Sequence, residues 1–390
     1  MIPVSQALTH LFALADPMGI EMVALREAAG RVLAKDVSAE RTQPPFDASS
    51  MDGYALRAAE VEPDAMFKVI GEAAAGHGFE GEVGAGQAVR IFTGAPMPEG
   101  SDFVVIQEDV TRRGDLITLG RDIGSKSNVR PAGGDFARGD VLSAPRTLAP
   151  ADVALLAAMN IPLVPVRRKP KVAIMATGDE LVAPGEQPGP DQIIASNSYG
   201  LAAQLETAGA TTRLLPIARD TEASLTTIFG LTADANLVVT IGGASVGDHD
   251  LVGAVAEQLG MERSFYKVAM RPGKPLMAGR LNGAAMIGLP GNPVSALVCG
   301  TIFVVPVIRA MLGLGSHPVA QQTGRLAQPL PPNGPREHYM RARVDASGVT
   351  AFDRQDSSLL TVLASANALL VRPPNDVAQP VGAEVTYIPI

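Results

Sequence analysis

Two apolar runs in this sequence end in turns rich in glycine, hydroxyls and carboxylates. VAIMATGDEL delivers Thr177, Gly178, Asp179 and Glu180, and LVVTIGGASVGDHD delivers Gly242, Gly243, Ser245, Gly247, Asp248 and Asp250. Glycines let backbone N–H groups come close to a phosphate, and helix starts favour anions. Carboxylates do the opposite work: their oxygens suit Mg²⁺, which often takes one or two of them beside water and substrate phosphate oxygens. Glu180 and Asp250 are the leading metal-side candidates. Taken alone, IGGASVG is equally a tight strand-to-helix turn without a ligand. In TGDEL, Asp179 is open to reading as a helix N-cap, with Glu180 as a favourable first-turn charge.

Basic character sits in two further Gly/Pro segments. MRPGKPLMAG reads as a loop that places Arg271 and Lys274 around Pro272 and Gly273, and Lys267 lies just upstream. GLPGNPVSA carries Pro290, Gly291, Asn292 and Pro293 ahead of an apolar helix; Asn-Pro there is a sound N-cap and first turn, and with Lys267 and Lys274 nearby the edge can also hold an anion. Upstream, PPFDASSMDGYALR crowds Asp47, Ser49, Ser50, Asp52 and Gly53 together, and its Asp-Gly pair favours a tight turn. IFTGAPMPEGSDFVVIQED reads as strand, turn, strand, with Thr93 exposed at the turn. NVRPAGGDFARGD supplies Arg130, Asp135 and Arg138 and reads alone as a solvated, internally paired loop, while GPREHYMRARV adds Arg336 and Arg341.

The elements that must position these groups fall into three regimes. From about 169 to 312, apolar strands (KVAIMAT, TTRLLPIA, NLVVTIGG, AAMIGLPG) alternate with helical patterns (SNSYGLAAQLETAG, TEASLTTIFGL, DLVGAVAEQLG and a long final one). That alternation predicts a parallel sheet with helices on both faces, whose strand carboxyl ends gather ligands in a crevice. From about 42 to 141, short apolar runs between glycines and prolines predict a β-rich module, flanked by the helical pieces SQALTHLFALA and APADVALLAAMN. After about 318, short alternating runs predict a small terminal β domain. The expected division is 1–41 with 142–168 as a helical and extended linker region, 42–141 as an inserted β-rich domain, 169–317 as the α/β domain and 318–390 as the C-terminal β domain. RRKPK at 167–171 reads as a solvated linker.

Composition narrows the class. The 390 residues are 46% hydrophobic and 18% charged, which is globular rather than disordered composition. A formal charge of -8 argues against a nucleic-acid partner. The one cysteine, Cys299, lies in the apolar stretch VSALVCGTIFVV, so intramolecular disulfides and cysteine-ligated zinc are excluded. The N-terminus reads as an amphipathic helix and not a secretory signal, and GLPGNP interrupts the uncharged stretch 281–308, leaving too short a run for an ordinary span of about 20 residues. A cytoplasmic protein without membrane contact is the expectation. The sequence lacks a GxxxxGK[ST] loop, which disfavours a generic kinase or ATPase.

Taken in order, PPFDASSMDGYALR, RIFTGAPMPEGSDFVV, VRPAGGDF, ATGDEL, IGGASVGDHD, MRPGKP and LPGNPVSA resemble the molybdopterin molybdenumtransferase family, bacterial MoeA and the E domain of gephyrin. The resemblance spans most of the chain. It implies a multidomain α/β plus β fold: a molybdopterin-binding α/β domain, an inserted β-rich domain, a helical and extended linker region and a C-terminal barrel-like β domain. It implies an elongated homodimer with a cleft shared between subunits, and transient contact with the adenylyltransferase partner and with apo-molybdoenzymes. The implied activity is insertion of molybdate into molybdopterin-AMP with Mg²⁺ and release of AMP. Carried onto this chain, Asp52, Thr93, Glu180 and Asp250 form the functional core, with Asp52, Glu180, Asp248 and Asp250 toward the metal. The substrate side takes Ser50, Arg130, Gly178, Asp179, Gly242, Gly243, Ser245 and Gly247. It continues through Lys267, Arg271, Pro272, Gly273, Lys274, Pro290, Gly291, Asn292, Pro293 and Arg336. The chain departs from the common pattern at Ala48–Ser50, at Ile241 and at Arg271, where Lys is frequent and Arg would favour bidentate oxyanion contact. The competing readings are a carrier that binds molybdopterin without turnover and a gephyrin-like scaffold.

Overall fold

The protein is described by a computed structural model covering residues 1–243 and 251–390. The expected ligands Ser245, Gly247, Asp248 and Asp250 therefore lie outside the described residues. The chain divides into two units, one formed by Met1–Glu21, Gly30–Ala34 and Val166–Ile390, the other by Met22–Ala29 and Lys35–Pro165.

In the first unit a six-stranded sheet runs in the order Thr211–Leu214, Lys171–Ala176, Leu237–Ile241, Ala284–Leu289, Met277–Leu281, Glu262–Tyr266. The first four strands are parallel, as the alternating strand and helix pattern requires. Three of them, Lys171–Ala176, Leu237–Ile241 and Ala284–Leu289, are covered on both sides and read as unbroken apolar runs whose successive residues feed two cores, while the edge strand Thr211–Leu214 is largely exposed. Ile174, Val239 and Ile287 pack with the helix Asn197–Thr207, the N-terminal helix Val4–Phe12 and the long helix after Pro293. Met175, Val238 and Met286 pack with Glu222–Gly230 and Leu251–Gln258 on the other face.

Two features differ from the sequence expectation. The tail of MRPGKPLMAG is not loop: Met277–Leu281 is a strand, hairpinned antiparallel to Ala284–Leu289 through Asn282 and Gly283, both at positive φ. Its small residues explain why it was missed, since Gly279 is required where a Cβ would fall 2.3 Å from the Glu262 carbonyl oxygen. RRKPK is not a free linker either. Arg167 ends one strand and Lys171 begins another, and Arg167 Nη1 donates to the Met18 carbonyl at 2.8 Å.

The helix Pro293–Met311 is 19 residues long with mean hydropathy 2.0, so its length and composition would allow a membrane span, contrary to the expectation from the GLPGNP break. Burial decides the matter: 78% of that window lies inside the fold. Its centre, Gly300–Val304, is a π-helical turn. Pro306 lacks an N–H for the carbonyl four residues before it, which is the local reason for the irregularity.

The C-terminal strands Glu337–Asp345, Ala368–Arg372, Glu384–Pro389 and Gln322–Arg325 are joined in that order, Gly348–Ala351 pairs with the first, and a bridge from Leu326 to Val349 closes the barrel. Met270–Arg271 adds to it in parallel, Arg271 opposite His338. In the second unit, a six-stranded sheet is ordered Phe103–Ile106, Gly53–Leu56, Gln87–Ile91, Met66–Ala73, Leu116–Leu119, Val110–Arg113. Alternate residues again serve two cores, Tyr54 and Leu56 in one and Ala55 in the other. The expected parallel α/β layer, β-rich module and terminal barrel are all present.

Candidate active site

A cleft of about 1340 Å³ opens along the carboxyl edge of the parallel sheet. It exceeds the roughly 300–1,000 Å³ of ordinary small-molecule pockets. Strand order fixes the sequence of groups along it. The loop after Thr211–Leu214 brings Asp220, that after Lys171–Ala176 brings Thr177, Gly178 and Glu180, and that after Leu237–Ile241 brings Gly242 and Gly243. Next come Pro290, Gly291, Asn292 and Pro293. The antiparallel strand Met277–Leu281 enters at this same edge, so Arg271, Pro272, Gly273 and Lys274, which precede it, follow last. Among the described lining residues, Glu180 and Asp220 thus stand at one end of the cleft and Arg271, Lys274 and Arg336 at the other, where Asp356 is the one carboxylate.

At the acidic end, Asp179 does not cap a helix. TGDEL continues into a short strand, Leu181–Val182, paired with Ile193–Ile194, and the Asp179 carboxylate accepts the Asp220 N–H at 3.3 Å. Arg219 Nη1 donates to the carbonyls of Asp179 at 3.0 Å and Leu181 at 3.2 Å, with Gly178 at 3.5 Å. The turn carrying Glu180 is therefore clamped to the segment carrying Asp220. Glycine is required at the centre of the cleft: a Cβ on Gly242 would lie 2.7 Å from the Thr177 carbonyl, and one on Gly243 2.1 Å from Val252 Cγ2.

At the basic end, the pairing of Arg271 with His338 brings the barrel against the sheet edge, and Arg336 joins the cleft lining. Arg341 is fully buried, donates from Nη2 to the Asp356 carbonyl at 3.0 Å, and keeps Nε and Nη1 without partners among the described residues. Burial, followed by the charge of Arg271, lowers Arg341 to about 10. Burial also lowers the His338 imidazole to about 4, reinforced by Arg271, Arg341, Arg372 and Arg336. That list marks a concentration of positive charge. Asn292 precedes its helix as expected, but its side chain does not cap it; Nδ2 donates instead to Ser357 Oγ at 3.0 Å, and Val294 N donates to the Ser357 carbonyl at 3.0 Å. These contacts hold the barrel loop 355–358 in the cleft wall. Lys267 is not among the lining residues; its ammonium lies 5.0 Å from the centre of the Tyr266 ring. Asp179 likewise acts on the backbone behind the cleft.

In the second unit the Asp52-Gly53 pair is not a turn. Gly53 starts a central strand, and a Cβ there would meet the Val105 carbonyl oxygen at 2.0 Å, so close strand approach explains the glycine. Asp52 Oδ1 accepts both the N–H and the hydroxyl of Thr93, each at 2.8 Å. The Thr93 N–H, then its hydroxyl, hold the Asp52 carboxyl below its usual value. Ser50 Oγ donates to the Asn128 carbonyl at 2.9 Å, and Ala48–Ser49 pairs with Val129–Arg130, leaving Arg130 exposed. Three widely separated sequence motifs thus meet in this unit.

Residues 2–160 match the MoeA N-terminal region (domain I and II), residues 173–310 a probable molybdopterin binding domain, and residues 323–390 the MoeA C-terminal region (domain IV). A molybdopterin molybdenumtransferase of Nostoc is 38% identical over 370 residues, covering 90% of this chain and 85% of that protein. This chain belongs to the molybdopterin molybdenumtransferase (MoeA) family. Another family member, from Bacillus subtilis, is 35% identical over 389 residues, with 95% and 90% of the two chains covered. The crystal structure of the Pyrococcus horikoshii MoeA molybdopterin biosynthesis protein superimposes at a TM-score of 0.86 with 28% identity and 99% of each chain covered.

Sequence reasoning missed several cleft residues of this MoeA-family chain. Asp220 had a usable signal, since ARD follows an apolar run just as TGDE does. Asn197, which donates to the Gly291 carbonyl at 2.6 Å, read as an ordinary helix start. The run Gln355–Ser358 lay between predicted strands, with nothing local to tie it to a motif some 60 residues upstream.

Proposed function

We propose that this chain inserts molybdate into adenylylated molybdopterin with Mg²⁺-dependent release of AMP, giving molybdenum cofactor. The observation that carries the reading is the order of groups along the cleft, with Glu180 and Asp220 at one end, glycine turns in the middle and Arg271, Lys274 and Arg336, beside Asp356, at the other. An adenylylated pterin pyrophosphate and an oxyanion are the pair of ligands that such a gradient suits.

Among the described residues no group of three or more His, Cys, Asp or Glu could hold a metal. Glu180 and Asp220 are two carboxylates facing one cleft, which fits an ion carried largely by substrate phosphates and water and does not fit an all-protein cage. When bound, Mg²⁺ would stabilise the charge developing on the phosphate as AMP leaves. The chain's own part is positional. Glycines 242 and 243 allow the phosphate to approach the backbone, Arg219 fixes the Glu180 turn, and Arg271, Lys274 and Arg336 attract molybdate. The substrate's dithiolene sulfurs receive the molybdenum; Cys299 is fully buried, its thiol pKa raised by burial, and plays no such part. The Asp52–Thr93 pair of one copy would serve the cleft of another in a homodimer, an arrangement supported by the family resemblance.

The test is AMP release and molybdenum incorporation by purified protein given molybdopterin-AMP and molybdate, with and without Mg²⁺, beside Asp52→Ala. Mg²⁺-dependent release coupled to insertion and lost in the variant is expected. Substrate binding without either event would replace this reading with the carrier.

A further inference from the structure

Two threonine hydroxyls of the α/β domain, Thr177 Oγ1 and Thr240 Oγ1, are buried without a hydrogen-bond partner among the described residues. Buried hydroxyls almost always find a partner, because losing water without replacement is costly. The two occupy different places. Thr240 is fully buried within the strand Leu237–Ile241 and does not line the cleft. Thr177 is 4% exposed, immediately follows the strand Lys171–Ala176, and lines the cleft.

The surroundings of Thr177 show how its hydroxyl is kept available. Its backbone is fixed on both sides, its N–H donating to the Ile241 carbonyl at 3.0 Å and its bridge to Ala218 joining the neighbouring segment. Its Oγ1 lies 3.0 Å from where a Cβ on Gly242 would stand and 3.2 Å from the corresponding point on Gly243. A side chain at either glycine would cover the hydroxyl. The glycine pair therefore does two things: it permits close backbone approach, and it keeps side chains from packing onto the buried donor.

We infer that Thr177 Oγ1 is a substrate-binding donor that hydrogen-bonds a phosphate oxygen seated on the Gly242–Gly243 turn. This rests on the proposed function, which places the substrate pyrophosphate at that turn. A phosphate oxygen is the fitting acceptor because the hydroxyl has a proton to give, no carbonyl among the described residues takes it, and the flanking glycines already suit a phosphate.

The experiment measures binding of inorganic pyrophosphate and of AMP to the full chain by calorimetry in Mg²⁺-free buffer, with thermal melting alongside. Wild type is compared with Thr177→Val, Thr177→Ser and Thr240→Val. Loss of a hydrogen bond to a charged group predicts at least about tenfold weaker pyrophosphate binding for Thr177→Val. Thr177→Ser should stay within about twofold, since the donor is retained, and Thr240→Val should bind as wild type does. Neither valine variant should melt below wild type, because each removes a hydroxyl that bonds to nothing among the described residues. Equal pyrophosphate affinity in wild type and Thr177→Val overturns the inference and leaves the proposed function intact. Marked destabilisation by Thr177→Val also overturns it, by assigning the hydroxyl to the fold. Absence of both pyrophosphate and AMP binding in wild type overturns the proposed function together with the inference.

Discussion

Gly273 offers the most direct check on how the basic end of the cleft is built. It adopts φ +107, and a Cβ placed on it would lie 2.3 Å from Sγ of the fully buried Cys299. Ordinary heavy-atom contact is about 3.5–4.0 Å, so Gly273→Ala must drive loop and sulfur apart by roughly 1.2–1.7 Å. Overpacking of that kind costs about 1–3 kcal/mol, and the backbone conformation, unfavourable for alanine, adds roughly 1–3 kcal/mol. Arg271 and Lys274 ride on the displaced loop, where a shift near 1 Å can cost about 100-fold in a positioned reaction. Cys299→Ala removes the sulfur that the new methyl meets and opens a space the methyl can occupy. The double variant should therefore regain about 1–3 kcal/mol of the loss, leaving the backbone contribution. Urea denaturation of wild type, both single variants and the double variant measures this coupling, with AMP release tracking the loop. Additivity within about 0.5 kcal/mol would refute the contact as the reason for the glycine.

Two further outcomes follow from the site. Arg219→Ala should reduce AMP release by about 10- to 100-fold through kcat, because the Glu180 turn loses its clamp, while stability changes by less than about 1 kcal/mol at this exposed position; Arg219→Lys should recover part of the rate, and an unchanged kcat in Arg219→Ala contradicts the clamp. For His338, burial and the surrounding arginines put the folded-state value near 4 against a usual 6.5. The unfolded chain therefore takes up the proton first as pH falls, and this contribution to stability is complete above about 6.5 and lost progressively toward about 4, at no more than about 1.4 kcal/mol per pH unit. Urea midpoints of His338→Gln between pH 7 and 4 should fall less steeply than those of wild type, and equal slopes would rule the histidine out.

The parallel layer was legible because three of its four strands, Lys171–Ala176, Leu237–Ile241 and Ala284–Leu289, are buried on both faces and so leave unbroken apolar runs, while the intervening helices keep their own period. Met277–Leu281 was not, since Gly279 and its neighbours are chosen for close approach to Glu262, a constraint with no local pattern. Asp52-Gly53 misled for a related reason. Asp-Gly marks a turn when judged by its own backbone, but Gly53 answers to the Val105 carbonyl about 50 residues away. The order of the seven motifs carried the family; it could not carry which motifs face one another.

By itself the sequence determined the chain's class, the glycine turns at strand ends, the exclusion of intramolecular disulfides and the family. Tertiary structure decided the composition of the cleft. It set Asp220 beside Glu180 through the Arg219 clamp, brought Arg336 to Arg271 by adding Met270–Arg271 to the barrel, and seated Ser357 on Asn292. Local periodicity records which face of an element is buried, so it survives in the sequence. Pairings between distant loops depend on strand order and on single hydrogen bonds, which leave no periodic trace.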